Sequence, residues 1–225
     1  MSEIAIDVVS DVVCPWCFIG KRKLERALES ERAAAGAEAG TEASTPAVTW
    51  HPFQLNPDMP AEGVPRADYL LRKFGEAGGG RNYDRVRAAG AEVGIAFAFE
   101  RIEHQPNSLA AHTLIGMRAG DPRQGDLVEA IFTAYFIEGR NIGDRDTLAA
   151  IVEPFGLSAA DVDRAFDDET ARGETREADE RARAIGVQGV PFFIFDRRLA
   201  VSGAQDPAVL AGAMQQAARD RQGSA

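Results

Sequence analysis

The chain has 225 residues, 45% of them hydrophobic, enough to bury a sizeable core in one large domain or one domain carrying an insertion, and too apolar for disorder along most of its length. Against 35 Asp and Glu there are 25 Lys and Arg, a formal charge of -10, which repels phosphate backbones and anionic lipid and argues against nucleic acid or a membrane surface as a partner. No apolar run reaches the length of a membrane span, and Met1-Ser2-Glu3 leads into the first strand without a basic or hydrophobic leader pattern, so a cytoplasmic protein is expected.

Ile4 to Val9 is almost continuously apolar and β-branched, the pattern of a strand covered on both faces. From about Pro15 the spacing becomes helical: Cys17, Leu24 and Leu28 fall on one side while Arg22, Lys23, Arg26 and Glu29 face away. Between strand and helix lies Ser10-Asp11-Val12-Val13-Cys14-Pro15-Trp16-Cys17, which holds the only two cysteines as a single Cys-x-x-Cys. The first N–H groups of a helix lack internal partners and carry partial positive charge, so a sulfur at Cys14 is expected to favour the thiolate. Cys17, one turn on, shares that face and is within reach to close a small disulfide. The pair can then shuttle two electrons, Cys14 attacking and Cys17 resolving the mixed disulfide. Pro15 and Trp16 fix the turn between them and remove one donor.

A Cys-x-x-Cys is also half of a zinc site. That reading needs a second ligand pair at matching spacing, and His51, His104 and His112 lie far apart in sequence, so no metal is expected. Two structural cysteines would not need the strand-to-helix setting. A free pair of this kind in the cytoplasm is more often redox-active or metal-binding than structural.

Ser30 to Pro46 is rich in Ala, Glu, Gly, Ser and Thr and reads as the helix fraying into a solvated linker without chemistry. Ala47 to Phe53 is strand-like, Val48 and Trp50 alternating against Thr49 and His51 until Pro52 ends the ladder; His51 is a lesser candidate for a catalytic base. From Gln54 to Gly186 the pattern is helical. Ala67 to Phe74 and Tyr83 to Val93 are short amphipathic segments separated by Gly78-Gly79-Gly80, a mobile turn and not a phosphate cradle, since no Lys-Ser/Thr follows. Ala110, Thr113, Leu114 and Met117 stripe the next helix, and Leu127, Ala130, Ile131 and Ala134 the one after, where Phe132 and Phe136 widen the buried side. Ser158 and Asp161 form a capping-box pattern with a Leu157 to Val162 staple. Ala171 to Ile185 carries only a thin Ala178, Ala182, Ile185 stripe, and its charges read as a solvated face.

Strands return at Pro191 to Asp196, with Leu199 to Ser202 as hairpin partner. Asp206-Pro207 then opens a last helix that buries Leu210, Ala213, Met214 and Ala217. The order is that of an α/β thioredoxin-like fold with a large all-helical insertion. Residues 1–53 and 187–225 are expected to form the discontinuous thioredoxin-like domain, and residues 54–186 the insertion.

Together these residues resemble the DsbA-like thiol-disulfide oxidoreductases, and within them the FrnE branch, whose relatives include 2-hydroxychromene-2-carboxylate isomerases and kappa-class glutathione transferases. The resemblance rests on Cys14-Pro15-Trp16-Cys17-Phe18-Ile19-Gly20-Lys21, Phe53-Gln54-Leu55-Asn56-Pro57, Asn107 with Ala111-His112, Ala134-Tyr135-Phe136, Gly189-Val190-Pro191-Phe192-Phe193 and Ser202-Gly203-Ala204-Gln205. It implies a cis Val190-Pro191 bond beside the cysteines, with the backbone of Val190 pairing an extended substrate as an added edge strand. Pro15, Trp16, Val190 and Pro191 are then substrate-binding candidates. Pro106-Asn107-Ser108 also reads as a helix cap, and His112 lies on a helix that packs inward. Because the equivalent helix in the family faces the active site, Asn107 and His112 are candidate substrate contacts as well.

The isomerases and kappa-class transferases carry Ser at the position of Cys14 and lack the Cys17 sulfur, so the two cysteines here favour an oxidoreductase. The leading expectation is a cytoplasmic enzyme acting on protein or small-molecule thiols and disulfides, as a monomer or homodimer. It needs no cofactor beyond a low-molecular-weight thiol such as glutathione. A second is a thiol-dependent isomerase or transferase for an aromatic or polyketide-like substrate, with Phe132 and Phe136 lining its pocket. A third is a redox-sensing or chaperone-like module whose binding surface the disulfide switches.

Overall fold

The computed structural model describes residues 4–39, 46–75 and 80–222. Its elements in chain order are β1 (Ala5–Ser10), α1 (Pro15–Ala39), β2 (Ala47–Pro52), β3 (Val64–Pro65), α2 (Arg66–Phe74), α3 (Gly80–Glu92), β4 (His104–Gln105), α4 (Leu109–Gly116), α5 (Gln124–Phe136), α6 (Arg145–Val152), α7 (Ala159–Asp167), α8 (Glu169–Ala184), β5 (Phe192–Phe195), β6 (Leu199–Ser202) and α9 (Pro207–Gln222). Four strands make one mixed sheet in the order β2-β1-β5-β6. β1 runs parallel to β2 and antiparallel to β5, and β6 closes the edge as the hairpin partner of β5.

Strand side chains alternate between faces, and the register assigns them. Ile6 pairs with Phe195 and Val8 with Phe193 on the face covered by α1 and α9, where all four are fully buried beside Leu24 and Leu210. Asp7 pairs with Ile194 and Val9 with Phe192 on the opposite face, against which α8 lays Ala182. β1 is thus covered on both faces, as its apolar run suggests, though less completely on the α8 side. The main core continues from the sheet through Phe18 of α1 into Leu127, Ile131, Phe132 and Phe136 of α5, so the inserted helices share one hydrophobic interior with the sheet.

Three local features differ from the sequence reading. α1 stays helical through the Ala-rich segment to Ala39, where a linker was expected, because alanine is the strongest helix former and Glu31 is tied to Gln215 of α9. Gly80 is the first residue of α3; Gly78 and Gly79, the rest of the expected turn, lie outside the described residues. The insertion is helical but carries one two-residue antiparallel ladder, Val64 opposite Gln105 and Pro65 opposite His104, too short to leave a periodic signal. The Ser158 capping box is present, with Leu157 and Val162 both buried.

Candidate active site

The chain leaves β1 at Ser10 and reaches α1 through a tight turn in which the Cys14 N–H donates to the Asp11 carbonyl at 3.0 Å. The Cys14 carbonyl accepts the N–H of Cys17 at 3.0 Å and of Phe18 at 3.4 Å, so Cys14 starts the helix, and Pro15 sits where a missing N–H costs nothing. Both thiols are free. The Cys14 thiol donates to the carbonyl of Val190 at 3.7 Å. It is only 5% exposed, because the loop bearing Val190 comes up against it.

Cys17 is completely buried. Burial first, then the adjacent Cys14 sulfur, pushes its pKa well up, while the Ser10 hydroxyl and the backbone at Asp11 pull the other way. That hydroxyl is buried and has no hydrogen-bond partner among the described residues, which leaves it available to the Cys17 sulfur. The Val190-Pro191 bond is cis. Pro191 packs on α1 at Gly20, where an added Cβ would come within 2.7 Å of the proline ring; the missing side chain lets this loop reach the cysteines. Trp16 is half-buried, and the Arg85 guanidinium lies 5.6 Å over its ring.

Beneath the cysteines sits a carboxylate that the sequence reading passed over. Asp11 is fully buried; it accepts the N–H of Val13 at 3.2 Å and of Leu55 at 2.7 Å, and lies 3.3 Å from His112 Nε2. The signal was an acidic residue set in the apolar run from Val9 to Val13. His112 is 3% exposed and turned toward Asp11, so it braces the active-site turn. Asn107 is half-buried with both ends of its amide engaged. Oδ1 accepts from Leu109 N–H at 2.9 Å, starting α4, and Nδ2 donates to the Met59 carbonyl at 2.6 Å. It borders a cavity of about 280 Å³ with Gln54 and Met59.

The charged stretch of α8 is not simply a solvated face. Asp179 is buried, accepting the Gln54 N–H at 3.1 Å and Arg183 Nε at 3.1 Å; Arg183 also donates to the Gln54 carbonyl and stacks 4.0 Å from the Phe53 ring centre. Helix α8 therefore turns Ala171, Thr175, Asp179 and Ala182 inward, and Ile185 of the expected stripe is 69% exposed. Phe132 and Phe136, the proposed ring pocket, are buried; Phe132 stacks on Phe18 at 5.0 Å, so they are core. Among the described residues no group of three or more His, Cys, Asp or Glu is placed to hold a metal ion.

Comparison with known proteins shows the family and the fold. The model of the DSBA-like thioredoxin domain matches residues 5–215. A protein of Bacillus subtilis, YwbO, itself uncharacterized, is 25% identical over 192 residues, 85% of this chain and 86% of its own. The crystal structure of a probable DsbA oxidoreductase from Streptomyces coelicolor superposes with a TM-score of 0.80 at 28% identity, covering 96% of this chain and 90% of that one. A 2-hydroxychromene-2-carboxylate isomerase shares the fold at a TM-score of 0.66 and 14% identity, covering 98% and 99%.

Proposed function

The chain belongs to the DSBA-like thioredoxin domain family, and on that premise we propose that it is a thiol-disulfide oxidoreductase working through Cys14 and Cys17 on protein or small-molecule substrates. The observation that carries this reading is the asymmetry of the two free thiols. Cys14 opens the helix and touches the Val190 carbonyl, whereas Cys17 is sealed behind it with a raised pKa.

In the reducing direction Cys14, as thiolate, attacks one sulfur of the substrate disulfide; that S–S bond breaks, a mixed disulfide forms and one substrate thiolate leaves. Cys17 then gives up its proton and attacks the Cys14 sulfur, forming the Cys14-Cys17 disulfide and releasing the second substrate thiol, so two electrons pass to the substrate. Two molecules of a low-molecular-weight thiol restore the dithiol, the first forming a mixed disulfide with the protein and the second releasing it as their own disulfide. Ser10 donates to the Cys17 sulfur as charge develops there. The backbone of Val190 and the faces of Pro15, Trp16 and Pro191 hold the substrate chain. The isomerase reading keeps the shared fold but loses the ring pocket it required, since Phe132 and Phe136 are core.

The test is insulin or small-disulfide reduction run beside chromene-carboxylate isomerisation with an added thiol, for wild type and Cys17→Ser. We expect multiple turnovers of disulfide by wild type, and a Cys17→Ser protein that stops after one event as a trapped mixed disulfide on Cys14. Isomerisation that survives Cys17→Ser, with negligible disulfide turnover in either protein, would overturn the proposal.

A further inference from the structure

A cavity of about 560 Å³ opens on the α8 face of the sheet, within the roughly 300–1,000 Å³ of small-molecule sites. Its floor is aliphatic, Val9 of β1 and Ile194 of β5; Ile185 stands at its α8 wall, and Arg181, Arg197 and His51 stand around it. Val9 and Ile194 pack in the same cluster as Val190, so the cavity lies behind the loop that touches Cys14 and is distinct from the cysteine end.

The charge is arranged for an anion in a chain that is strongly acidic elsewhere. Asp7, the acidic residue of the lining, is occupied by His51 at 2.7 Å. Arg181 has only a 3.6 Å contact to Glu177 between two exposed side chains, and Arg197 has no ion pair among the described residues. Arg197 is also held at a cost. In the turn closed by Arg198 N–H to the Phe195 carbonyl, Asp196 and Arg197 have φ of 52° and 55°, a left-handed pair for which glycine is the usual choice. Asp196 is anchored by Arg221 at 2.9 Å and by its own N–H to the Ala5 carbonyl at 2.7 Å, which holds the turn and sets Arg197 at the cavity. The exposed Ile185 beside these guanidinium groups is apolar surface that a ligand would cover.

We propose that this cavity binds a carboxylate carrying an apolar body, with Arg181 and Arg197 taking the anionic group and Val9, Ile185 and Ile194 the apolar part. A guanidinium recognises a planar carboxylate through paired, charge-assisted hydrogen bonds, and the aliphatic floor supplies the contact that a small inorganic anion would not use.

Calorimetric titration with naphthalene-2-carboxylate, and with the neutral naphthalene-2-carboxamide, tests it. Saturable one-to-one binding of the acid is expected, with the amide about tenfold weaker. Arg181→Gln and Arg197→Gln should each weaken the acid about five- to tenfold while leaving the amide unchanged. Ile185→Glu, at a position too exposed to disturb folding, should weaken the acid about tenfold or more. Cys14→Ser should bind as wild type, which separates this site from the redox reading. Equal affinity for acid and amide, absence of saturation, wild-type binding by Arg197→Gln and Ile185→Glu, or loss of binding in Cys14→Ser would each overturn it.

Discussion

The two faces of the central sheet are made by the same strands and are used in opposite ways. Toward α1 and α9, Ile6, Val8, Phe193 and Phe195 are fully buried and interlock with Leu24 and Leu210. Toward α8, Asp7, His51 and Ile194 are half-buried around an unfilled space. Alternation along β1 and β5 is enough to produce this, because a one-residue step moves every side chain to the other face. One face carries the stability that holds the cysteine turn in place, and the other leaves room for a ligand without touching that core.

The largest difference should appear between neighbours on β5. Phe193→Ala removes a fully buried ring and is expected to cost about 3–5 kcal/mol, whereas Ile194→Ala, on the open face, should cost about 1 kcal/mol. Denaturant midpoints at constant m-value measure both, and similar losses would break the distinction between the faces.

The two acid–histidine pairs give a sharper version. His112→Ala leaves the fully buried Asp11 carboxylate without one of its partners and should cost about 1–3 kcal/mol. His51→Ala removes a partner from the half-exposed Asp7 and should cost about 0.2–1 kcal/mol. A larger loss for His51→Ala would mean that the open face carries stability after all.

A last test is set by pH on the closed side. Burial raises the pKa of Cys17 in the folded protein, so its thiol ionises more readily once the chain unfolds. The stability it contributes is fully present below the unfolded value of about 8.5 and is lost as pH rises above it, by about 1.4 kcal/mol per pH unit until the folded pKa is reached. Stability of the reduced protein measured from pH 7 to pH 10 should show this slope, and Cys17→Ser should remove it. A slope that persists in the variant would assign it to another group.

Much of the site was legible along the chain. Cys14 and Cys17 announce themselves as a Cys-x-x-Cys between an apolar strand and an amphipathic helix, and the loop with Val190 and Pro191 is marked by a proline opening an aromatic strand. The roles of His112 and Asn107 were not, since a polar residue near an active-site helix looks the same whether it faces substrate or a buried partner. His112 turned out to meet Asp11, 101 residues away in sequence, and Asn107 to hold Met59 and start α4. Asp179 was read with the solvated charges of α8 because helical periodicity counts apolar residues and has no term for a carboxylate turned inward to meet the Gln54 N–H.

Local physics, readable from sequence alone, determined where strands and most helices form, the capping box at Ser158 and the cysteine at the helix start. These depend on residue type, spacing and nearest neighbours, which the linear order contains. Tertiary structure alone decided how far each sulfur is buried, which carboxylates lose water and acquire partners, that Phe132 and Phe136 fill core instead of lining a pocket, and that one face of the sheet stays partly open. Burial and electrostatics are set by what arrives from distant parts of the chain: α8 brings Asp179 to Gln54, α4 brings His112 to Asp11, and Gly20 admits Pro191 beside the cysteines. No local pattern encodes the sum of such arrivals, because each depends on how all the other elements have packed.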